Sequence, residues 1–185
     1  MELKKILNTQ FPNLDKESLG AIAELSSYIK LAKGRKLIAE GSRHSYFYLI
    51  LEGGVKSYYS KELRDVCMWF AFKNEVIGTI TTYQGLRSKE TVELLEDSEL
   101  IKFNVGKIKE LIRTDLSISH LINDLIIEHT LCLEERLYQL QFLSGEERYN
   151  ALQETSPQIL QKVSLTDIAS FLGISRETLS RIRSK

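Results

Sequence analysis

The side chains of this sequence best suited to binding another molecule lie close to its C-terminal end. Residues 175–183 read Ser-Arg-Glu-Thr-Leu-Ser-Arg-Ile-Arg, so that two apolar positions are surrounded by mainly basic and hydroxyl side chains. Lysine and arginine neutralise phosphates, and an arginine can donate two hydrogen bonds to the edge of a guanine. The pattern therefore predicts a DNA-binding surface. Its predicted contact residues are Ser175, Arg176, Glu177, Ser180, Arg181, Arg183 and Lys185.

Two short helices joined by a tight turn would position these side chains. Ser164 and Asp167 fit a capping box that starts the first helix, and apolar residues then recur on one face at helical spacing. Gly173 follows the last of them, where a helix end favours a residue that tolerates positive φ, and Ser175 is a good N-cap for the second helix. We interpret the second helix as a recognition helix and the first as its support. An ordinary helical hairpin with a solvated basic face is the alternative.

The same residues resemble a known family. The segment from Ser175 to Ile182 resembles the recognition helix of the Crp/Fnr transcription regulators, and Ile168-Ala169 and Leu172-Gly-Ile-Ser175 match the preceding helix and turn. The resemblance implies that Arg176, Glu177 and Arg181 contact base edges. It also implies a homodimer that reads a partly palindromic site on double-stranded DNA. RNA polymerase is a further partner that the family implies, although none of its contacts can be matched to this sequence residue by residue.

The middle of the chain has the texture of a β-structure. From about residue 31 to residue 103, short alternating apolar segments are separated by glycines and charged turns, which is typical of antiparallel strands in a small barrel or jelly roll. Residues 34–53 resemble the opening of the cyclic-nucleotide-binding β-roll of the same regulators. Before it, residues 2–29 are predicted to be helical in two pieces, broken near Phe11-Pro12-Asn13. The predicted class is α+β: an N-terminal β-roll (double-stranded jelly roll) with flanking helices, a long dimerisation helix and a C-terminal helix-turn-helix.

A candidate effector site lies late in the β-roll. The family's nucleotide binders carry a Gly-Glu pair that contacts ribose and an Arg-Ser pair that binds the cyclic phosphate. Here Gly78 is followed by Thr79 instead of a carboxylate, and Arg87-Ser88 follows at a shorter spacing than in the family. An arginine beside a phosphate would be a bidentate partner, but this stretch fits a solvated turn equally well. We therefore expect no cyclic nucleotide cofactor, which leaves the site to another effector or to none.

A long helical stripe follows the β-region. Residues 116–143 carry apolar side chains at intervals of three, four and seven residues. They form a stripe wide enough to need covering from two sides. The same helix of a second subunit, in a short coiled coil, is the cover that we expect. A core helix within a single subunit is the alternative, and His129 fits a packed or interfacial position better than a metal site. The predicted interface residues are Ile122, Ile126, His129, Leu133, Leu137 and Leu140.

The composition narrows the classes of protein. The chain has 185 residues, 43% of them hydrophobic and 27% charged, and a formal net charge of zero, which argues against an indiscriminate polycation. We predict that Cys67 and Cys132 are buried and reduced, with no metal-ligand spacing between them. No signal peptide is visible and no apolar run approaches the roughly 20 residues of a membrane span. These features predict a cytoplasmic protein without metal or membrane contacts.

Three segments and three functions follow from these patterns. We expect a β-roll sensor domain over residues 1–115, a dimerisation helix over 116–143 and a DNA-binding domain over 144–185. The leading hypothesis is a dimeric transcription regulator. A second is a ligand-binding sensor module that acts through protein contacts. A third, an enzyme on a cupin-like barrel, needs several histidines close together in the strands, and only His44 lies in the β-region.

Overall fold

The N-terminal helices in the computed structural model, which describes residues 2–62 and 64–184, end earlier than predicted. Helix α1 spans Glu2–Gln10 and helix α2 spans Lys16–Glu24, with the Asp15 carboxylate accepting from two backbone N–H groups at the start of α2. The predicted continuation of the helix to residue 29 is wrong. Ser26–Leu31 form strand β1, which pairs antiparallel with residues 98–103. A pairing partner so distant in sequence overrides the local helical pattern.

The β-roll consists of two packed sheets. After β1, the strands are β2 Lys36–Ile38, β3 Tyr46–Glu52, β4 Gly54–Lys61, β5 Arg64–Phe72, β6 Val76–Ile77, β7 Thr91–Leu94 and β8 Ser98–Asn104. Within the described residues each sheet has four antiparallel strands, in the orders β1-β8-β3-β6 and β2-β7-β4-β5. The apolar side chains between the sheets include Ile50, Val55, Val92 and Leu100, each fully buried.

Helices surround and follow the roll. Helix α3, Ile80–Gln84, interrupts the strands, and α4, Val105–Ile112, leads to the long helix α5, Leu116–Phe142. Four helices complete the described chain and are called here the C-terminal helical unit: α6 Gly145–Thr155, α7 Pro157–Lys162, α8 Leu165–Leu172 and α9 Arg176–Arg183. The predicted α+β class, with a β-roll, a long helix and several C-terminal helices, is confirmed.

The two cysteines differ in environment. Cys67 is 3% exposed, and its burial, with the negative charge of Asp167 nearby, raises the thiol pKa to about 12. The prediction that Cys132 is also buried is wrong for the single chain, because its position on α5 leaves the side chain exposed. Cys67 is consequently an inert core residue, since the thiolate is the reactive form of cysteine.

Candidate nucleic-acid interface

The turn between α8 and α9 sets the direction of α9. Gly173 adopts the left-handed conformation, with φ of 66°, and its N–H and that of Ile174 bond to carbonyls of the last turn of α8. Ser175 then caps α9 by accepting a hydrogen bond of 3.1 Å from the N–H of Thr178. A glycine and a serine in these positions satisfy both helix ends. The start of α6 lies very close, since a Cβ on Gly145 would come within 2.7 Å of the Ile174 side chain.

The inner face of α9 is clamped by the rest of the C-terminal helical unit. Leu179 is 1% exposed and packs in one cluster with Ile168, Ala169 and Leu172 of α8, the apolar face expected from the sequence. Leu152 of α6 belongs to the same cluster. Because these residues are closed off from water, α9 has only its other face available for a partner.

The outer face of α9 carries most of the predicted DNA contacts. The side chains of Arg176, Glu177, Ser180 and Arg181, with Ser184, line a shallow open concavity. Ser175 and Arg183 are also exposed, whereas Lys185 lies outside the described residues. The predicted residues from 175 to 183 are therefore all accessible from outside the chain.

The charges on this face are set by a few local contacts. Hydrogen bonds from the backbone of Glu177 and from the Ser175 side chain, and then the charges of Arg176 and Arg181, hold the pKa of the Glu177 carboxyl below its usual range. Glu177 is thus an anion at neutral pH, able to accept hydrogen bonds. One Nη of Arg181 lies 3.3 Å from the Thr178 hydroxyl, which restrains the guanidinium along the helix.

Two arginines that the sequence analysis did not select join the long helix to this unit. Arg148 of α6 donates to the carbonyl of Leu172 at 2.8 Å and to that of Leu143, after the end of α5, at 2.5 Å. Arg136 of α5 donates to the carbonyl of Phe171, and its guanidinium lies 4.0 Å from the centre of that ring. Desolvation, followed by the charge of Arg148, lowers the pKa of Arg136. No local sequence pattern marks these residues, because their acceptors are carbonyls of other helices.

The four candidate effector residues all have contacts within the chain. A Cβ on Gly78 would lie 2.1 Å from the Phe47 ring, so this glycine allows a close approach of backbone and ring. Thr79 caps α3 through the N–H of Thr82. Arg87 donates to the Gly41 carbonyl at 2.7 Å. The buried Ser88 hydroxyl donates to the Glu90 carbonyl, also at 2.7 Å.

The predicted interface residues are divided along α5. Ile122 and His129 are half-buried, and Ile122 packs against the core formed by the N-terminal helices and the sheet of β1, β8, β3 and β6. The later apolar residues face solvent in the single chain. They are Ile126 at 40% exposure, Leu133 at 51%, Leu137 at 56% and Leu140 at 45%.

Comparison with known proteins agrees with this architecture. Residues 28–115, which include most of the β-roll, match the family model described as the cyclic nucleotide-binding domain. No curated protein matches the sequence significantly. Among the described residues, none of the helices combines the length and apolar composition needed to cross a bilayer.

Solved structures extend the agreement to the whole fold. FixK2 from Bradyrhizobium japonicum superposes with a TM-score of 0.76 and 19% identity, over 86% of this chain and 83% of that one. A protein from Eubacterium rectale assigned to the Crp/Fnr family of transcriptional regulators gives 0.75 and 17%, over 94% and 85%. The catabolite activator protein of Thermus thermophilus gives 0.59 and 20%, over 95% and 84%. The expected resemblance to Crp/Fnr regulators is thus confirmed at the level of the fold.

Proposed function

We propose that this protein is a dimeric, sequence-specific DNA-binding transcription regulator of the Crp/Fnr type. The observation that carries the proposal is helix α9, whose apolar side is clamped while its basic side is open. Arg176, Arg181 and Arg183 oppose the single carboxylate of Glu177 in this helix. A helix with such a face, held by a supporting helix at a fixed turn, suits the major groove.

The residues proposed to contact DNA, on and around α9, receive their roles from their chemistry. Arg176 and Arg181 would donate to guanine edges, and Glu177 would accept from a cytosine amino group. Ser164, Ser175, Arg183 and Lys185 would contact phosphates, and Ser180 would complete the DNA-contacting set. Glu177 suits its role because it is an exposed carboxylate, and its lowered pKa favours the ionised form further.

The proposed dimer uses the exposed side of α5. Ile126, Leu133, Leu137 and Leu140 recur at intervals of seven, four and three, which is the spacing of a coiled-coil seam. Apolar side chains exposed along one helix favour burial against an identical helix. The chain then divides into a sensor domain over 1–115, a dimerisation helix over 116–143 and a DNA-binding domain from 144, and two copies of α9 would enter successive major grooves.

The sensor domain is proposed to act without cyclic AMP. Arg87 and Ser88, the residues that would receive the cyclic phosphate, bond to backbone carbonyls of the chain itself. Thr79 stands where a ribose-binding carboxylate would be needed. In a titration calorimeter, cyclic AMP and cyclic GMP should give no binding heat, and micromolar binding of either would contradict this part of the proposal.

Selection of bound fragments from a random DNA pool tests the DNA-binding function. We expect enrichment of a partly palindromic sequence with half-sites about one helical turn apart. Fluorescence anisotropy would then compare this operator with a scrambled duplex of equal length at several salt concentrations. Equal affinity for both duplexes would contradict sequence-specific reading, and failure to retain any DNA would favour a sensor that acts through protein contacts.

Sedimentation velocity tests the dimer separately. Leu133→Glu should place a charge in the seam and yield a folded monomer, because the side chain is exposed in the single chain. Glu134→Gln, at the neighbouring exposed position of the same helix, serves as the control and should remain a dimer. A wild-type protein that sediments as a monomer at micromolar concentration would exclude the coiled coil.

A further inference from the structure

The half-buried Glu90 lies two residues after the Arg87-Ser88 pair, and its carboxylate faces into the β-roll. One of its oxygens accepts hydrogen bonds from the Trp69 indole N–H, at 2.9 Å, and from the Ser57 hydroxyl. Ser57 is fully buried, and Trp69 packs against the cluster between the two sheets. A negative charge with two protein donors thus lies where the cyclic-nucleotide resemblance would lead one to expect an anionic effector.

Ser57 and Trp69 are direct partners across the β4–β5 hairpin, and the next pair along it is Lys56 and Phe70. Successive residues of a strand point to opposite faces of a sheet. The first pair therefore points into the roll, towards Glu90, and the second pair points outwards.

The outward side of this hairpin holds the C-terminal helical unit. Lys56 forms an ion pair of 3.1 Å with Asp167 of α8, and the two side chains are only 17% and 18% exposed. The Phe70 ring lies 5.3 Å from that of Phe171, centre to centre. Phe72, the last residue of β5, is buried in the apolar cluster of the C-terminal helical unit.

Helix α8 also forms hydrogen bonds with the backbone at the edge of the sheet. Strand β5 is the last strand of its sheet, so one side of its backbone has no strand neighbour among the residues that the structure describes. The Ser170 hydroxyl accepts from the N–H of Cys67 at 2.9 Å and donates to the carbonyl of Asp65 at 3.2 Å. A single side chain of α8 therefore satisfies two backbone groups that a further strand would otherwise bond.

We propose that Glu90 is a built-in substitute for an effector, and that the β4–β5 hairpin transmits its presence to the C-terminal helical unit. On the inner face of the hairpin, the carboxylate accepts hydrogen bonds from Ser57 and Trp69. On the outer face, the neighbouring pair, Lys56 and Phe70, contacts α8. Docking uses α8 and leaves the outer face of α9 exposed, so the docked arrangement is competent to bind DNA. The proposal rests on the proposed function and adds that no external anion is needed to reach the DNA-binding state.

The competence part is tested with the full-length protein on the selected operator. Glu90→Ala leaves a fully buried donor, Ser57, and a half-buried one, Trp69, without their acceptor. It should lower operator affinity roughly 5- to 150-fold, the usual range of coupling between sites. Glu90→Gln keeps an acceptor oxygen and should restore most of the affinity. Glu93→Ala is the matched control, since this neighbouring carboxylate contacts Tyr58 on the outward side. Wild-type affinity for Glu90→Ala would overturn the proposal.

The coupling part is tested without DNA, so that its failure is distinguishable from failure of the proposed function. Hydrogen exchange of the Cys67 amide reports whether α8 is docked on β5, and we expect faster exchange in Glu90→Ala. In the other direction, Asp167→Ala should shift the fluorescence of Trp69, the single tryptophan of the chain, whereas Glu154→Gln in α6 should not. Unchanged exchange and unchanged fluorescence would overturn the coupling. If Glu90→Ala does not fold, Ser57→Ala, which removes one donor only, decides by the same measurements.

Discussion

The outer face of α9 and the candidate effector residues of the β-roll use similar side chains in opposite ways. On α9, Arg176 and Arg181 point away from the chain and line an open concavity. In the roll, Arg87 and Ser88 bond to backbone carbonyls of their own chain. An arginine beside a serine is therefore no evidence of a ligand site until its partners are known. What distinguishes the two regions is whether backbone carbonyls of the chain accept hydrogen bonds from these side chains, as they do from Arg87 and Ser88.

The largest effect is expected from truncating Leu179, the buried residue that holds α9 against the rest of the C-terminal helical unit. Leu179→Ala deletes a side chain that is 1% exposed in the cluster of the C-terminal helical unit. We expect a loss of about 2–5 kcal/mol in unfolding free energy, because a buried leucine leaves a cavity. Chemical denaturation followed by circular dichroism measures it, with Ser180→Ala on the exposed face as the control. A loss below about 1 kcal/mol would mean that α9 is not clamped by this cluster.

The comparison of the two regions becomes sharper with a pair of arginine substitutions. Arg181→Ala should weaken binding to the selected operator by roughly 1–3 kcal/mol and relax the preference at one base pair. Arg87→Ala should leave operator binding within twofold of the wild type, because its guanidinium is engaged with Gly41. Anisotropy titrations of both variants on operator and scrambled duplexes give the answer. Equal losses for Arg181→Ala on the two duplexes would show that it contacts only the backbone.

Gly78 tests whether the roll residues serve packing. The added methyl of Gly78→Ala would collide with the Phe47 ring, and such overpacking typically costs about 1–3 kcal/mol of stability. Gly20→Ala in α2 is the matched control: its nearest neighbour would be the flexible end of Lys4 at 3.5 Å, and helix propensity should make it neutral or stabilising. The midpoints of urea denaturation compare the two. Full stability of Gly78→Ala would remove the packing role.

The smallest effect is expected at Asp15, an exposed carboxylate that accepts several hydrogen bonds. Hydrogen bonds from Ser18, backbone first and side chain second, and then from Ser117, lower the Asp15 pKa from 3.8 to about 2. The folded pKa lies below the unfolded one, so this contribution to stability is present above about pH 4 and is lost as the pH falls towards 2. Asp15→Asn should therefore melt at a lower temperature than the wild type at pH 7, and the gap should close between pH 4 and pH 2. Asp124→Asn, on the exposed part of α5, should show no such pattern.

Local sequence patterns were most informative where an element depends on its own residues. The two C-terminal helices, their turn and the exposure of the basic face of α9 follow from Gly173, Ser175 and the spacing of four apolar residues, all within 22 positions. The long helix follows equally from the period of its apolar stripe. The strand Ser26–Leu31 could not be found in this way, because its partner is β8, near residue 100.

The residues that connect elements were visible only in the tertiary structure. Glu90 in the sequence belongs to a charged turn, and only the pairing of β4 with β5 and with β7 brings Ser57 and Trp69 to its carboxylate. Arg148 joins helices because it donates hydrogen bonds to carbonyls at the ends of α5 and α8. The sequence by itself determined which helices form and which face of α9 is polar, since helix caps and periodicity act over a few residues. The tertiary structure decided which polar groups remain free for a partner, because hydrogen bonds between distant segments depend on how the chain closes on itself.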